Sequence, residues 1–171
     1  MSVLLYYARV LGKAGRYDKA IEVQKKLIDI LDPKADKEPH LSYMAVFYFQ
    51  AGEKEKGKEL FESLYQEAKN DIDELRDLAW YCQKHEVNLK EAQAWAERAV
   101  ELSKDENKVA SSMLLSFFPG SVLDTYADIL FENGEIEKAI EVETEAYNTA
   151  IHENNINIYR EKLEKYKAAL K

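Results

Sequence analysis

Cysteine is almost missing from this chain: Cys82 stands alone in 171 residues, so no internal disulfide framework can staple the fold. Glycine and proline are scarce as well, at 6 and 3 residues. A many-stranded β fold needs turn punctuation at short intervals, and without it helix is the expected element throughout. Long apolar runs are absent. The longest, such as Met44–Phe49, fall far short of the roughly 20 residues of a membrane span. No charged segment leading into a long apolar one opens the chain, so no signal peptide is expected. Positive charge is in short supply too. Lys and Arg total 24 against 32 Asp and Glu, for a net charge of −8 and a pI near 5.1. A phosphate backbone or an anionic membrane demands a basic footprint, and the basic residues here are interleaved with acids, as on solvated helix faces. Neither nucleic acid nor membrane is expected as a partner.

Catalytic signatures are equally thin. The glycines at 12, 15, 52, 57, 120 and 134 form neither a Walker loop nor a GxGxxG fingerprint. His40, His85 and His152 are far apart in sequence, with no metal-ligand spacing, so no metal and no cofactor is expected. Cys82 and His85 stand three apart and could share a helix face, which invites a cysteine–histidine nucleophile; a small buried thiol is the better account, since Leu11, Tyr48 and Leu130 fill the equivalent inward position in the other copies of the chain's internal repeat. The acidic pairs Asp71/Asp73 and Glu141/Glu143 read as solvated surface rather than paired catalytic carboxylates. The expectation is a chain that is not an enzyme.

What the chain does have is a repeat. With 46% hydrophobic and 33% charged residues it has the composition of a folded protein, and self-similarity is the first thing to seek in an all-helical chain. The segments Tyr6–Pro33, His40–Ala68, Leu75–Leu102 and Val122–Asn148 each show one apolar helical period, a break, and a second period. In register they place Ala8, Ala45, Ala79 and Ala127 at position 8, and Ala20, Gly57, Ala92 and Ala139 at position 20. Two helices crossing at these positions approach closely only if the side chains there are small. Position 15 is Gly15, Gly52 and Gly134; the third copy lacks the glycine. Leu4, Leu41, Leu75 and Leu123 at position 4, with Tyr7, Met44, Leu78 and Tyr126 at position 7, supply an apolar stripe.

This pattern resembles the tetratricopeptide (TPR) family. The copies are degenerate: position 24, usually a large apolar residue, is Gln24 and Glu143 in two of them, and the closing proline survives only as Pro33. The resemblance implies an all-α fold, a right-handed superhelical α-solenoid of four TPR helical hairpins plus a C-terminal capping helix. The repeats would span about 1–34, 38–71, 72–104 and 120–153, with an insertion at 105–119 and a last helix at 156–170. The stretch from Asn88 to Leu102, followed later by Leu123–Glu141, also resembles the TPR tail of some bacterial thioredoxin-fold proteins, although no Cys-x-x-Cys is present. Helices are expected at 2–13, 17–31, 38–51, 54–70, 72–85, 89–104, 120–133, 136–152 and 156–170.

An opening as apolar as Val3–Tyr7 is unlike a solvated terminal repeat, so a segment of a longer protein is expected. At the other end Ile156, Tyr159, Leu163, Tyr166 and Leu170 form one seam, either a cap on the last repeat or a dimer contact; a monomer or weak homodimer follows. The residues 105–121 carry Met113, Leu114, Leu115, Phe117 and Phe118. They form either a short helix tucked against the repeats or a partner-binding patch.

The resemblance further implies a protein or peptide partner in a concave groove lined by helix A positions 2, 5, 9, 12 and 13. Those positions correspond to Leu5 and Arg9; to Ser42, Val46, Phe49 and Gln50; to Arg76, Trp80 and Gln83; and to Asp124, Asp128, Phe131 and Glu132. Phe49, Trp80 and Phe131 would be the aromatic anchors, unless they pack between neighbouring helix pairs. The Lys and Asn clamp of chaperone-binding relatives is not reproduced by Leu5, Arg9, Ser42, Val46, Arg76 and Trp80, which disfavours capture of a carboxylate tail. The alternative function is a structural spacer or oligomerisation tail of a larger protein, which the second resemblance implies is a thioredoxin-like one. Compartment is not legible, and a cytoplasmic location is expected only if this is the whole chain.

Overall fold

Small residues at helix crossings decide how closely the elements pack. In the computed structural model, which describes residues 3–31 and 37–170, the described residues contain α-helices and no strand. The chain divides into two compact units, residues 1–66 and 67–171. The closing proline of the first repeat, Pro33, lies outside the described residues.

The first unit contains α1 (Val3–Lys13), α2 (Tyr17–Ile30), α3 (Glu38–Gln50) and the greater part of α4 (Lys54–Ala68). α1 packs on α2, and α2 on α3. Ala8, Ala20 and Ala45 are completely buried. Gly57 on α4 admits no side chain: an added Cβ would lie 2.5 Å from the Phe49 ring and 3.0 Å from the Ala45 carbonyl oxygen. A pair of helices crossing this tightly excludes even a methyl group.

The second unit contains α5 (Ile72–Lys84), α6 (Leu89–Leu102), α7 (Glu106–Ser111), α8 (Met113–Phe117), α9 (Ser121–Glu132), α10 (Ile136–Thr149) and α11 (Glu153–Ala169). α5 pairs with α6, α9 with α10, α6 and α5 with α9, and α10 with α11. Ala79, Ala92, Ala127 and Ala139 are all fully buried. α5 starts where it does because the Asp71 carboxylate accepts the Asp73 and Glu74 amides at 2.9 and 3.1 Å, satisfying two of the orphan donors of the first turn. The last helix begins at Glu153 instead of 156, and α10 ends at Thr149 instead of 152. The seam on α11 is consumed inside this unit, since Tyr159, Leu163 and Tyr166 are buried. Leu170 stays exposed.

Four turns share one hydrogen-bond scheme. The amides of Arg16, Glu53, Val87 and Glu135 donate to the carbonyls of Leu11, Tyr48, Cys82 and Leu130 at 2.9–3.0 Å. This closing bond needs a left-handed residue just before the donor. Gly15, Gly52 and Gly134 supply it with φ of 70°, 85° and 84°. In the third turn the place of glycine is taken by Glu86, at φ 53°.

Candidate functional site

The groove-facing residues expected in the first unit separate into two groups. On α1, the Arg9 guanidinium donates to the Tyr43 hydroxyl at 2.6 Å and sits 4.9 Å from that ring's centroid. Leu5, Phe49 and Gln50 are half-buried. Ser42 and Val46, by contrast, have no exposed surface, so they cannot line an open groove as expected. The reason is that α3 buries Ser42, Tyr43, Ala45, Val46 and Phe47 almost consecutively, the habit of a helix that is apolar around most of its circumference. The Ser42 hydroxyl is satisfied within its own helix by Glu38, at 2.7 Å. Phe49 packs against Phe61 with ring centroids 6.1 Å apart, which is the helix-packing role.

In the second unit α5 presents Arg76, Trp80, Gln83 and Lys84. The Trp80 indole is half-buried and flanked by two cations of its own helix. The Lys84 ammonium is 4.1 Å from the ring centroid and the Arg76 guanidinium 5.7 Å. Residues four apart stack along one helix face, and a cation over an indole is attracted by the ring quadrupole. Arg76 is tied further by Nε donating to the Thr125 hydroxyl at 3.2 Å, and Gln83 donates to Glu132 at 2.8 Å.

The expected α9 contributors do not face an open groove. α11 lies over them. Lys162 donates to both Asp124 and Asp128, the second at 2.7 Å, with all three side chains at most about a quarter exposed. The Tyr166 hydroxyl donates to Asp128, and its ring stacks on Phe131 at 4.4 Å between centroids. The Lys165 ammonium covers Phe131 at 4.7 Å. Asp124, Asp128 and Phe131 are thus gathered at one place, as their spacing implies, but their partner is this chain's own last helix.

Beneath this contact is a residue that sequence reasoning misplaced. Glu143 was expected on a solvated face with Glu141. Glu141 is exposed, but Glu143 is completely buried. Among the described residues no N–H or hydroxyl group donates to either of its oxygens. What it meets is a second carboxylate, Asp124. Two buried carboxylates side by side cannot both ionise. Burial first, then the charges of Asp124 and Asp128, push the Glu143 carboxyl up to about 9 against the opposing pull of Lys162. Glu143 therefore keeps its proton beside Asp124. Burial also raises Asp124, with Lys162 and Arg76 working against it. The Tyr159 hydroxyl is pushed up to about 12 by burial and the same two acids. The signal available in the sequence was the departure at position 24, where an apolar residue is usual.

The other acidic pair is structural too. Asp71 caps α5, and Asp73 reaches across to the insertion, accepting the Met113 and Leu114 amides at 3.0 and 3.1 Å and the Ser112 hydroxyl. Leu115 is buried, Leu114 half-buried, and Met113, Phe117 and Phe118 are exposed. The insertion therefore docks by one leucine and a capped helix end. Cys82 is fully buried, its thiol raised well above the ordinary value by burial and then by the Glu91 charge. It carries its proton, the inert state for a cysteine.

Among the described residues no group of three or more His, Cys, Asp or Glu is placed to hold a metal ion, and no helix is long and apolar enough to cross a membrane. No protein-family model matches the chain, and neither does any curated protein.

Proposed function

We propose that the chain is a TPR-type protein-interaction module whose binding face, within residues 67–171, centres on Trp80. Support for the TPR assignment is internal: buried small residues at positions 8 and 20, and the same closing bond from position 16 to position 11 in four turns. One observation carries the binding reading. Of the three aromatic anchors, all half-buried, Phe131 is stacked under Tyr166 of α11 and Phe49 packs on Phe61, whereas Trp80 meets only its chain neighbour Tyr81 edge-on, 5.2 Å between centroids, and lies beside two cations of its own helix. Trp and Arg are the residues on which binding energy concentrates. The ligand that suits them is an extended or helical peptide with an apolar residue for the indole and a carboxylate for Lys84, Arg76 being already paired with Asp77 at 2.8 Å.

Catalysis has no support from Cys82, which is closed to solvent and protonated. A structural spacer is the competing reading, favoured by the covering of α9 by α11. Selection of a random displayed peptide library on the folded chain separates the two. Peptides rich in Asp and Glu should emerge, and Trp80→Ala should weaken them at least tenfold, with Lys84→Ala weakening them less. Trp95, the other tryptophan, is buried, so the fluorescence change on binding reports Trp80. If no peptide discriminates between the chain and its Trp80→Ala variant, the spacer reading stands.

A further inference from the structure

The Trp80 face has a second charged group, which the helix ends single out. The last turn of a helix carries partial negative charge on its unpaired carbonyls, so a cation there is favourable and an acid is not. α1 and α5 follow that preference, ending on Lys13 and Lys84, and α3 ends on the neutral Gln50. α9 ends on Glu132, with no basic residue in its last turn. The chain does not compensate for this. Among the described residues Glu132 makes no ion pair, and its direct partner is the Gln83 amide at 2.8 Å. Burial raises the Glu132 carboxyl and the charges of Asp128 and Glu86 raise it further, with Gln83 and Lys165 acting against them. Asp128 is answered by Lys162 and Tyr166, but the exposed Glu86 makes no ion pair either. Lys165 lies over Phe131, 4.7 Å from the ring centroid. A departure from local preference with no gain inside the fold is expected at a functional position.

Glu132 is held at the same surface as the indole. Trp80, Gln83 and Lys84 follow the i, i+3, i+4 spacing of one side of α5, and the Gln83 amide fixes the Glu132 carboxylate beside them. An indole, an ammonium and a carboxylate therefore adjoin, each exposed or half-buried. Although opposite in sign, Lys84 and Glu132 do not pair. The Lys84 ammonium is turned over the Trp80 ring at 4.1 Å, and the Glu132 carboxylate toward Gln83. A peptide that gives Lys84 a carboxylate and the indole an apolar side chain still brings nothing to Glu132. A basic side chain completes the match, through a charge-assisted hydrogen bond.

We infer that Glu132 determines the specificity of this face: the peptide that seats an apolar residue on Trp80 and an acidic one on Lys84 also carries an arginine or lysine that pairs with Glu132. The inference rests on the Trp80 reading, and its test separates the two. A random displayed peptide library is selected in parallel on the full chain and on Glu132→Lys, and each pool is screened against Trp80→Ala. Glu132 is exposed and lysine suits a helix C-terminus, so the variant should fold, which circular dichroism checks. Trp80-dependent peptides from the parent should carry Arg or Lys at a fixed distance from their acidic residue. Those from Glu132→Lys should carry Asp or Glu at that place. One parent peptide, followed by Trp80 fluorescence, should bind Glu132→Lys about tenfold more weakly and should recover when its basic residue is replaced by glutamate. Trp80-dependent peptides without that basic preference, or a loss that the exchanged peptide does not recover, overturn the inference and leave the Trp80 reading standing. If no peptide depends on Trp80, both fall.

Discussion

Phe131 of α9 and Tyr166 of α11 lie stacked, 4.4 Å apart and 20° from parallel. An aromatic ring expected to anchor a partner is satisfied by the chain itself. Around that stack Lys162 reaches two aspartates and the Tyr166 hydroxyl reaches one of them. The last helix behaves as a built-in ligand of α9, combining an aromatic plate with a cation for buried acids. Tyr159 and Leu163 of the same helix are buried, so apolar packing adds to these polar contacts. The charged group fixes where along α9 the helix settles.

Lys162 is the residue whose loss should be felt most. Lys162→Met keeps the stem packing but leaves Asp124 and Asp128 together without their cation. Removing one partner of a largely buried ion pair costs about 3 kcal/mol, and that loss is expected in urea unfolding. Tyr166→Phe keeps the stack and removes one hydrogen bond, so it should cost only about 1 kcal/mol. Equal effects would mean that the polar contacts do not position α11.

Glu143 makes a prediction about pH. In the unfolded chain it ionises near 4.5, while in the fold it keeps its proton up to about 9. Across that window the unfolded state releases a proton that the folded state retains, so folding stability falls as pH rises. Glu143→Gln preserves shape and removes the titration. The variant should be more stable by about 1–3 kcal/mol near neutral pH and should converge with the parent toward pH 4.5. Unfolding curves at several pH values read this directly. A difference that does not change with pH would mean the carboxyl does not titrate as its surroundings dictate.

Much of the architecture was legible because it depends on local rules. Small residues at positions 8 and 20 announced the close crossings, and every one of them is buried. The glycines at 15, 52 and 134 announced left-handed turns. The misplaced residues depend on distant parts of the chain. Glu143 and Glu141 look alike on an acid-rich helix; what separates them is Asp124 and Lys162, brought in from α9 and α11. Gln24, at the equivalent position on α2, is likewise fully buried with no hydrogen-bond partner among the described residues. Position 24 had shown a departure in both copies, but periodicity alone does not reveal whether such a polar residue turns outward or is enclosed. Nor could the seam on α11 show that its polar neighbours would take the α9 positions expected to face a partner.

Asp73 should govern the insertion. Its carboxylate accepts two amides at the start of α8 and the Ser112 hydroxyl, and a cap of this kind is worth about 1 kcal/mol. In Asp73→Ala the amides of Met113 and Leu114 should exchange with solvent roughly fivefold faster. Those of α5 should change little, since Asp71 remains its cap. Hydrogen exchange resolves the two segments. Uniform acceleration across both would show that Asp73 supports the whole unit and not the insertion alone.

The turn after α5 offers the cleanest test of backbone strain. Glu86 sits at φ 53° in the place where three sibling turns carry glycine. For an L-residue with a Cβ the left-handed region costs about 1 kcal/mol or more. Its charge also acts on Glu132, whose carboxyl is raised first by burial and further by Asp128 and Glu86. Glu86→Gly relieves both, while adding some freedom to the unfolded chain. The net expectation is a gain of about 0.5–1 kcal/mol in urea unfolding. The reciprocal change, Gly134→Ala, meets no atom within 4 Å of the new Cβ, so any effect there comes from the backbone, and a loss of about 1 kcal/mol is expected. Opposite signs for the two variants would identify the left-handed geometry as the shared requirement of these turns. If Glu86→Gly destabilises instead, the glutamate side chain contributes more to that turn than its backbone strain costs.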